Sequence, residues 1–192
     1  MTRRKRNHPL TRDEILDKAL EIIDSDGLSA LSMRRLGSDL GIDPMMIYRH
    51  IPNKDALLDL TVERMRSNMV LENLPDAPSE FLEAIFVEYM RVLSSHPNML
   101  PLAMRRPDST EASGIQFLID QGLPVDDAID LFQSLTAFTV GYAFLSSPLA
   151  SGKYDGVPDE IAGKLGDWTD ANFRRTLRAI IGSHNLEKIG ET

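Results

Sequence analysis

A chain of 192 residues, 42% of them hydrophobic, can bury one sizeable core or two small ones. It has no cysteine, which excludes disulfides and thiolate metal sites, and its formal charge of −8 argues against a polyanionic partner for the chain as a whole. The charge is unevenly spread, however. Residues 1–70 hold 12 Lys/Arg against 11 Asp/Glu, a net of +1, and residues 71–192 hold 9 against 18, a net of −9. Local charge rather than the total meets phosphates, so only the second part is set against them.

Residues 1–9 carry Arg3, Arg4, Lys5 and Arg6 without periodicity. They read as a disordered basic arm, either a solubilising tail or a clamp on a phosphate backbone. No apolar core follows these charges, so the arm is not a signal peptide. Together with the absence of cysteine, this fits a cytoplasmic location.

A first helix is expected from Thr11. Thr11 and Glu14 have capping-box spacing, and Leu10 can staple onto Ile15. Ile15, Leu16, Ala19, Leu20, Ile22 and Ile23 form an apolar stripe at helical spacing that ends at Gly27. The stretch Leu31–Lys54, LSMRRLGSDLGIDPMMIYRHIPNK, then reads as two helices of about two turns each. Ser32 is placed to cap the first, Leu36 and Leu40 share its inner face, and Gly41 suits a left-handed C-terminal cap. Asp43 and Pro44 restart the chain as an N-cap and a first-turn proline, with Ile47 and Ile51 inward and Pro52 as the stop. Met45, Met46, Tyr48, Arg49 and His50 are left on the outer face. This is the pattern of a helix-turn-helix whose second helix can enter the DNA major groove. Asn53 can cap a fourth helix with Leu57, Leu58, Thr61 and Met65 inward. Lys54 opposes the dipole of that helix, a placement better suited to holding a phosphate than to stability. Leu74-Pro75 and Ala77-Pro78 break the pattern, so residues 10–70 are expected as a DNA-binding domain and 71–192 as a second domain.

The second domain opens with an amphipathic helix from Ser79 to Ser95, with Leu82, Ile85, Phe86, Tyr89 and Leu93 inward. Asp108 and Glu111 suggest a capped start for the next helix, which ends at Gly122. Val125 to Ser147 is the most apolar helix. Its Gln, Ser and Thr residues and the 4-3-4-3 spacing of Leu131, Leu135, Phe138, Tyr142 and Leu145 argue for a buried core or interface helix, not a membrane span. Ser134, Ala137 and Gly141 add a stripe of small residues beside it. A last helix is expected over Trp168–His184, with Phe173, Leu177, Ile180 and Ile181 on one face. No strand-like alternation is present, so the fold is expected to be all-α. Phe86, Tyr89, Met90, Met99, Met104, Phe117, Phe138 and Tyr142 suit the lining of an apolar cavity.

Taken together, ILDKALEIIDSDGLSALSMRRLGSDLGI followed by IYRHIPNKDALLDL resembles the TetR family of transcriptional repressors. The C-terminal segments RVLSSHPNM, MRRP, QFLIDQGLPVDDAI and AFTVGYAFL are similar, more loosely, to those of the tetracycline-repressor type. The resemblance implies a homodimer binding a palindromic double-stranded DNA operator, with the last long helices forming a four-helix interface. It also implies a small-molecule effector in the C-terminal core, here expected to be apolar or amphipathic. By family position Arg34 would read bases, Met45, Met46 and Tyr48 would meet base edges or phosphate, and Ser32, His50 and Lys54 would hold the backbone. Two positions depart from that type. Pro44 stands where a glutamine reads adenine, leaving Met45 and Met46 suited to thymine methyls. Leu102 and Leu145 stand where a histidine and a glutamate hold a drug's magnesium, so no metal or other cofactor is expected.

Two rival classes compete with this reading. For a helical enzyme acting on a small molecule, the histidines His8, His50, His96 and His184 are scattered. The segment GVPDEIAGKL also has the wrong glycine spacing for a phosphate loop. An architectural DNA-binding dimer without effector would need only the first 70 residues.

Overall fold

A computed structural model describes residues 9–103, 109–150 and 166–184, with 158, 161, 164 and 186 as single positions. The basic arm up to His8, Met104, the Asp108 cap and most of the segment GVPDEIAGKL lie outside the described residues. Among the described residues every regular element is helical. The chain divides into two compact units, Met1–Asn68 with Asn98–Arg106, and Met69–Pro97 with Pro107–Thr192.

The first unit is built on α1 (Arg12–Asp26), with α2 (Met33–Leu40), α3 (Pro44–Ile47) and α4 (Lys54–Arg66). Glu14 N–H donates to Thr11 Oγ1 at 3.2 Å and Thr11 N–H to Glu14 Oε2 at 2.9 Å, so the capping box fixes where α1 begins. All six apolar residues of its stripe are buried, and α1 packs against both α2 and α4. Each leucine and isoleucine among them contributes about 1.5–3 kcal/mol on burial. Leu57, Leu58, Thr61 and Met65 of α4 close the other side of this core. Three ion pairs reinforce it: Arg64 Nε to Asp17 Oδ1 at 2.6 Å, and Arg35 to Asp26 and Asp39 at 2.9 and 2.7 Å.

The boundary differs from a simple cut near residue 70. A 3-10 turn, Pro97–Leu102, follows directly after the helix that opens the second unit, yet residues from Asn98 onward belong to the first. The reason is hydrogen bonding. Asn98 Nδ2 donates to the carbonyls of Ile23 and Asp24 at 3.0 Å each, and Arg66 Nη2 donates to the Ala103 carbonyl at 2.7 Å. Met99, fully buried here, is therefore a core residue of the first unit and not part of a C-terminal cavity.

The second unit holds α5 (Pro78–Ser95), α6 (Ser109–Asp120), α7 (Val125–Ser146) and α8 (Asp170–Gly182). Helix α5 packs on α7 and α8, α7 also meets α6, and aromatic pairs fill the contacts. Phe86 lies 5.1 Å from Phe132, Phe138 stacks on Phe173 at 5.5 Å, and Tyr142 meets Trp168 edge-on at 4.9 Å. Helix α7 is long and apolar enough to cross a membrane by composition. Leu131, Phe132, Leu135 and Tyr142 are nonetheless buried inside the unit, and the Thr136 and Thr139 hydroxyls donate to the Phe132 and Leu135 carbonyls. One member of its expected stripe departs: Leu145 is 48% exposed, and Phe144 and, in the preceding turns, Ser134, Ala137 and Gly141 are exposed too.

Arg178 of α8 grips both carboxylate oxygens of Glu83 on α5 at 2.7–2.9 Å. Those hydrogen bonds and the guanidinium charge hold the Glu83 carboxyl below its ordinary value, against the opposing effect of partial burial. A folded-state pKa below the unfolded one adds stability that is complete above the ordinary glutamate value of about 4.3 and is lost as pH falls through the lowered value. Glu83→Gln is thus expected to melt below wild type at pH 7, with the gap closing toward roughly pH 3. A gap that is the same at both pH values would contradict the pairing.

Candidate functional site

The first unit presents one surface whose side chains are not used by the core. Ser32 Oγ accepts the Arg35 N–H at 3.1 Å and starts α2. Gly41, at φ 67° and ψ 28°, ends it in the left-handed conformation, with the Ile42 N–H returned to the Gly37 carbonyl at 2.9 Å. Asp43 Oδ1 accepts the Met45 N–H at 2.9 Å and Pro44 takes the first helical position of α3. The second helix is shorter than its sequence suggests: regular helix stops at Ile47 and residues 48–50 are turns. The Ile51 N–H still donates to the Ile47 carbonyl at 2.9 Å, so the chain keeps its direction and both isoleucines reach the core fully buried.

Among the described residues, those singled out in the sequence for nucleic acid lie at the surface. Met45 is 68% exposed, Met46 38% and Tyr48 43%; Arg34, Arg49, His50 and Lys54 are exposed and Ser32 half-exposed. Charge sorts the cations into two groups. Arg35 and Arg64 are hydrogen-bonded to aspartates, which raises their pKa and neutralises them locally. Arg34, Arg49 and Lys54 make no ion pair among the described residues, which leaves their charge available to a partner. Lys54 opens α4 behind the Asn53 cap, whose Oδ1 accepts the Ala56 N–H at 2.8 Å.

The candidate cavity residues are not gathered round one space, although Phe138 and Tyr142 do meet. Phe86 pairs with Phe132, and Phe117 stacks on Phe81 at 3.8 Å. Phe138 lies among Tyr142 and Phe173. Of the described candidates, Met90 and Tyr142 line a cavity of about 650 Å³ in the second unit, between α5, α7 and α8. Its other prominent walls are Glu88, Arg91, Trp168, Asp170 and Arg174, which the sequence reading missed. A signal was available. Leu82, Ile85, Phe86 and Tyr89 are the core face of α5, whereas Val87, Met90, Arg91 and Ser94 repeat at i, i+3, i+4, i+7 on a second face. Arg91 pairs with Glu88 and Arg174 with Asp170, both at 2.7 Å, so the walls are amphipathic with balanced charge. Burial and the nearby Asp167 push the Tyr142 phenol up; it stays neutral and donates to the Thr169 carbonyl at 2.8 Å.

A helix-turn-helix hung on a supporting helix, followed by a separate helical unit with its own cavity, defines an all-α regulator-type fold. Residues 15–60 match the family model described as bacterial regulatory proteins, tetR family. Two curated relatives agree. The chain is 36% identical over 102 residues to the HTH-type transcriptional repressor DrrR1 of Streptomyces coeruleorubidus, covering 51% of this chain and 37% of that one. It is 30% identical over 144 residues to the tetracycline repressor protein class C of Escherichia coli, covering 69% of this chain and 64% of that one. The match thus spans less than two thirds of either relative's length. Among solved structures, the TetR family protein ActR from Streptomyces coelicolor, in complex with actinorhodin, aligns over 95% of this chain and 98% of its own, with a TM-score of 0.74 and 26% identity. Residues 15–60 therefore carry a DNA-binding segment of the tetR-family type, and the fold of the chain is similar to that of TetR family proteins.

The caps and exposures predict how substitutions behave in the isolated protein. Asp43→Ala removes the acceptor at Met45 N–H and is expected to cost about 1 kcal/mol in denaturant unfolding. Met45→Ala, at a position 68% exposed, is expected to stay within about 0.5 kcal/mol of wild type. A large loss for Met45→Ala would place that side chain in the core instead.

Proposed function

We propose that the chain is a ligand-responsive transcriptional repressor that binds a palindromic operator as a homodimer and is released by a small apolar or amphipathic molecule. The observation that carries this is the outer surface of α2 and α3: two apolar side chains, a tyrosine and unpaired cations around a Gly41 turn. The family-model match over residues 15–60 and the repressor names of the relatives support it. In this reading Arg34 reaches bases from α2, while Met45, Met46 and Tyr48 face base edges or phosphate. Ser32, Arg49, His50 and Lys54 hold the backbone. Arg34→Ala is expected to lower affinity for a specific duplex by about 1–3 kcal/mol and to relax sequence preference. Lys54→Ala is expected to weaken all duplexes alike and to reduce the salt slope by roughly one per head. Swapped behaviour in quantitative binding titrations would overturn these roles.

The dimer reading rests on α7. Ser134, Ala137 and Gly141 with Phe144 and Leu145 leave a small-residue and apolar face exposed in one chain, as a helix-helix interface requires. A Cβ added at Gly141 would meet nothing within 4 Å inside the chain. Gly141→Arg is therefore expected to fold normally, sediment as a monomer and lose specific DNA binding. A folded variant that stays dimeric would exclude this face as the interface.

For the effector, the cavity of about 650 Å³ beside α5 is the candidate seat. The ActR structure with actinorhodin supports a small-molecule site in this fold. Coupling has a covalent route: α5 ends at Ser95, and Asn98, three residues on, holds the carbonyls of Ile23 and Asp24 in the DNA-binding unit. Linkage is reciprocal, so an effector must bind more weakly with operator present, by the factor by which it weakens operator binding. Calorimetry of a candidate compound with and without operator measures this; equal affinities mean the compound is not the effector.

A further inference from the structure

We propose that α3 selects its operator by the C5-methyl groups of pyrimidines, so that Met45 and Met46 recognise thymine, and equally 5-methylcytosine, by apolar contact in the major groove. The inference rests on the DNA-binding reading and names the chemical feature that α3 reads. Every group on α3 that could read a base by hydrogen bond is spent or missing. The Asp43 carboxylate accepts the Met45 N–H and is anionic besides. Pro44 has no donor, is half-buried, and is seated on α2 so tightly that a Cβ at Gly37 would lie 2.9 Å from its Cγ. Ile47 is fully buried.

What α3 does expose is the pair Met45 and Met46, at 68% and 38%. Exposed thioethers that the chain's own core does not use call for an apolar, polarisable partner. A major groove offers one: among the base edges, only thymine presents an apolar group, its C5-methyl. The exposed cations Arg49 and Lys54, without an ion pair among the described residues, flank this surface with charge suited to phosphates, and Arg34 adds its base contact from α2. Polar attraction then comes from the flanks and apolar selection from the centre. A thioether does not distinguish the O4 acceptor of thymine from the N4 donor of cytosine. At the positions that Met45 and Met46 read, the methyl group alone is recognised, and a methylated cytosine is equivalent to thymine there.

The test uses the full chain and a specific duplex recovered from a random pool. Deoxyuridine is substituted for thymine one position at a time. Loss of one contacted methyl is expected to weaken binding about fourfold, and substitutions outside the contacted positions to change nothing. At a sensitive position, a 5-methylcytosine·guanine pair is expected to bind about fourfold tighter than the unmethylated cytosine·guanine pair. Met45→Ala and Met46→Ala are expected to bind thymine and uracil duplexes alike at the position each reads. Specific binding with no difference between thymine and uracil anywhere would overturn the methyl readout. So would methionine variants that discriminate as wild type does. Failure of the wild-type chain to enrich any duplex would instead overturn the DNA-binding reading on which the inference stands.

Discussion

The left-handed turn at Gly41 is the constraint on which the candidate interface depends. A φ of 67° lets α2 stop and the chain reverse within three residues, and the Ile42 N–H returned to the Gly37 carbonyl closes the turn. Because the turn is this short, Leu36 on one side and Ile47 and Ile51 on the other enter a single core. The residues between them are forced outward. The exposure of Met45, Tyr48 and Arg49 thus follows from where the three buried residues must go.

Charge reinforces that arrangement. Arg35 and Arg64, which brace the first unit, are matched with aspartates, whereas Arg34 lies one residue away from Arg35 and is unpaired among the described residues. Adjacent arginines on a helix point in different directions, so one stabilises the fold and the other remains for a partner. The chain's acidic excess lies in residues 71–192, away in sequence from this surface. A total charge of −8 is therefore compatible with a basic reading head.

How much of this was legible in the sequence depended on how local the physics was. The caps at Thr11, Ser32, Asp43 and Asn53 and the αL glycine involve residues two to four apart, and the structure contains each of them. The buried stripes of α1 and α5 followed from periodicity alone. Two things were not legible because they depend on partners distant in the chain. The return of Asn98–Arg106 to the first unit rests on hydrogen bonds spanning 75 and 37 positions. The cavity walls join one face of α5 to Trp168 and Arg174, and hydrophobicity gave no reason to choose the mixed-polarity face of α5 over its apolar one. Apolar type selected Phe86 and Phe117 for the cavity, and the structure spends both on the core packing of the second unit.

Under the proposed function this surface reads DNA twice, once per subunit of a symmetric dimer. The sequences that the purified chain enriches from a random pool of duplexes test it most directly. The expected result is a pair of inverted half-sites whose centres lie about 34–36 Å apart, or a whole number of turns further, because two heads on one face must enter successive major grooves. An enriched site without inverted symmetry, or no enrichment at all, would contradict the account.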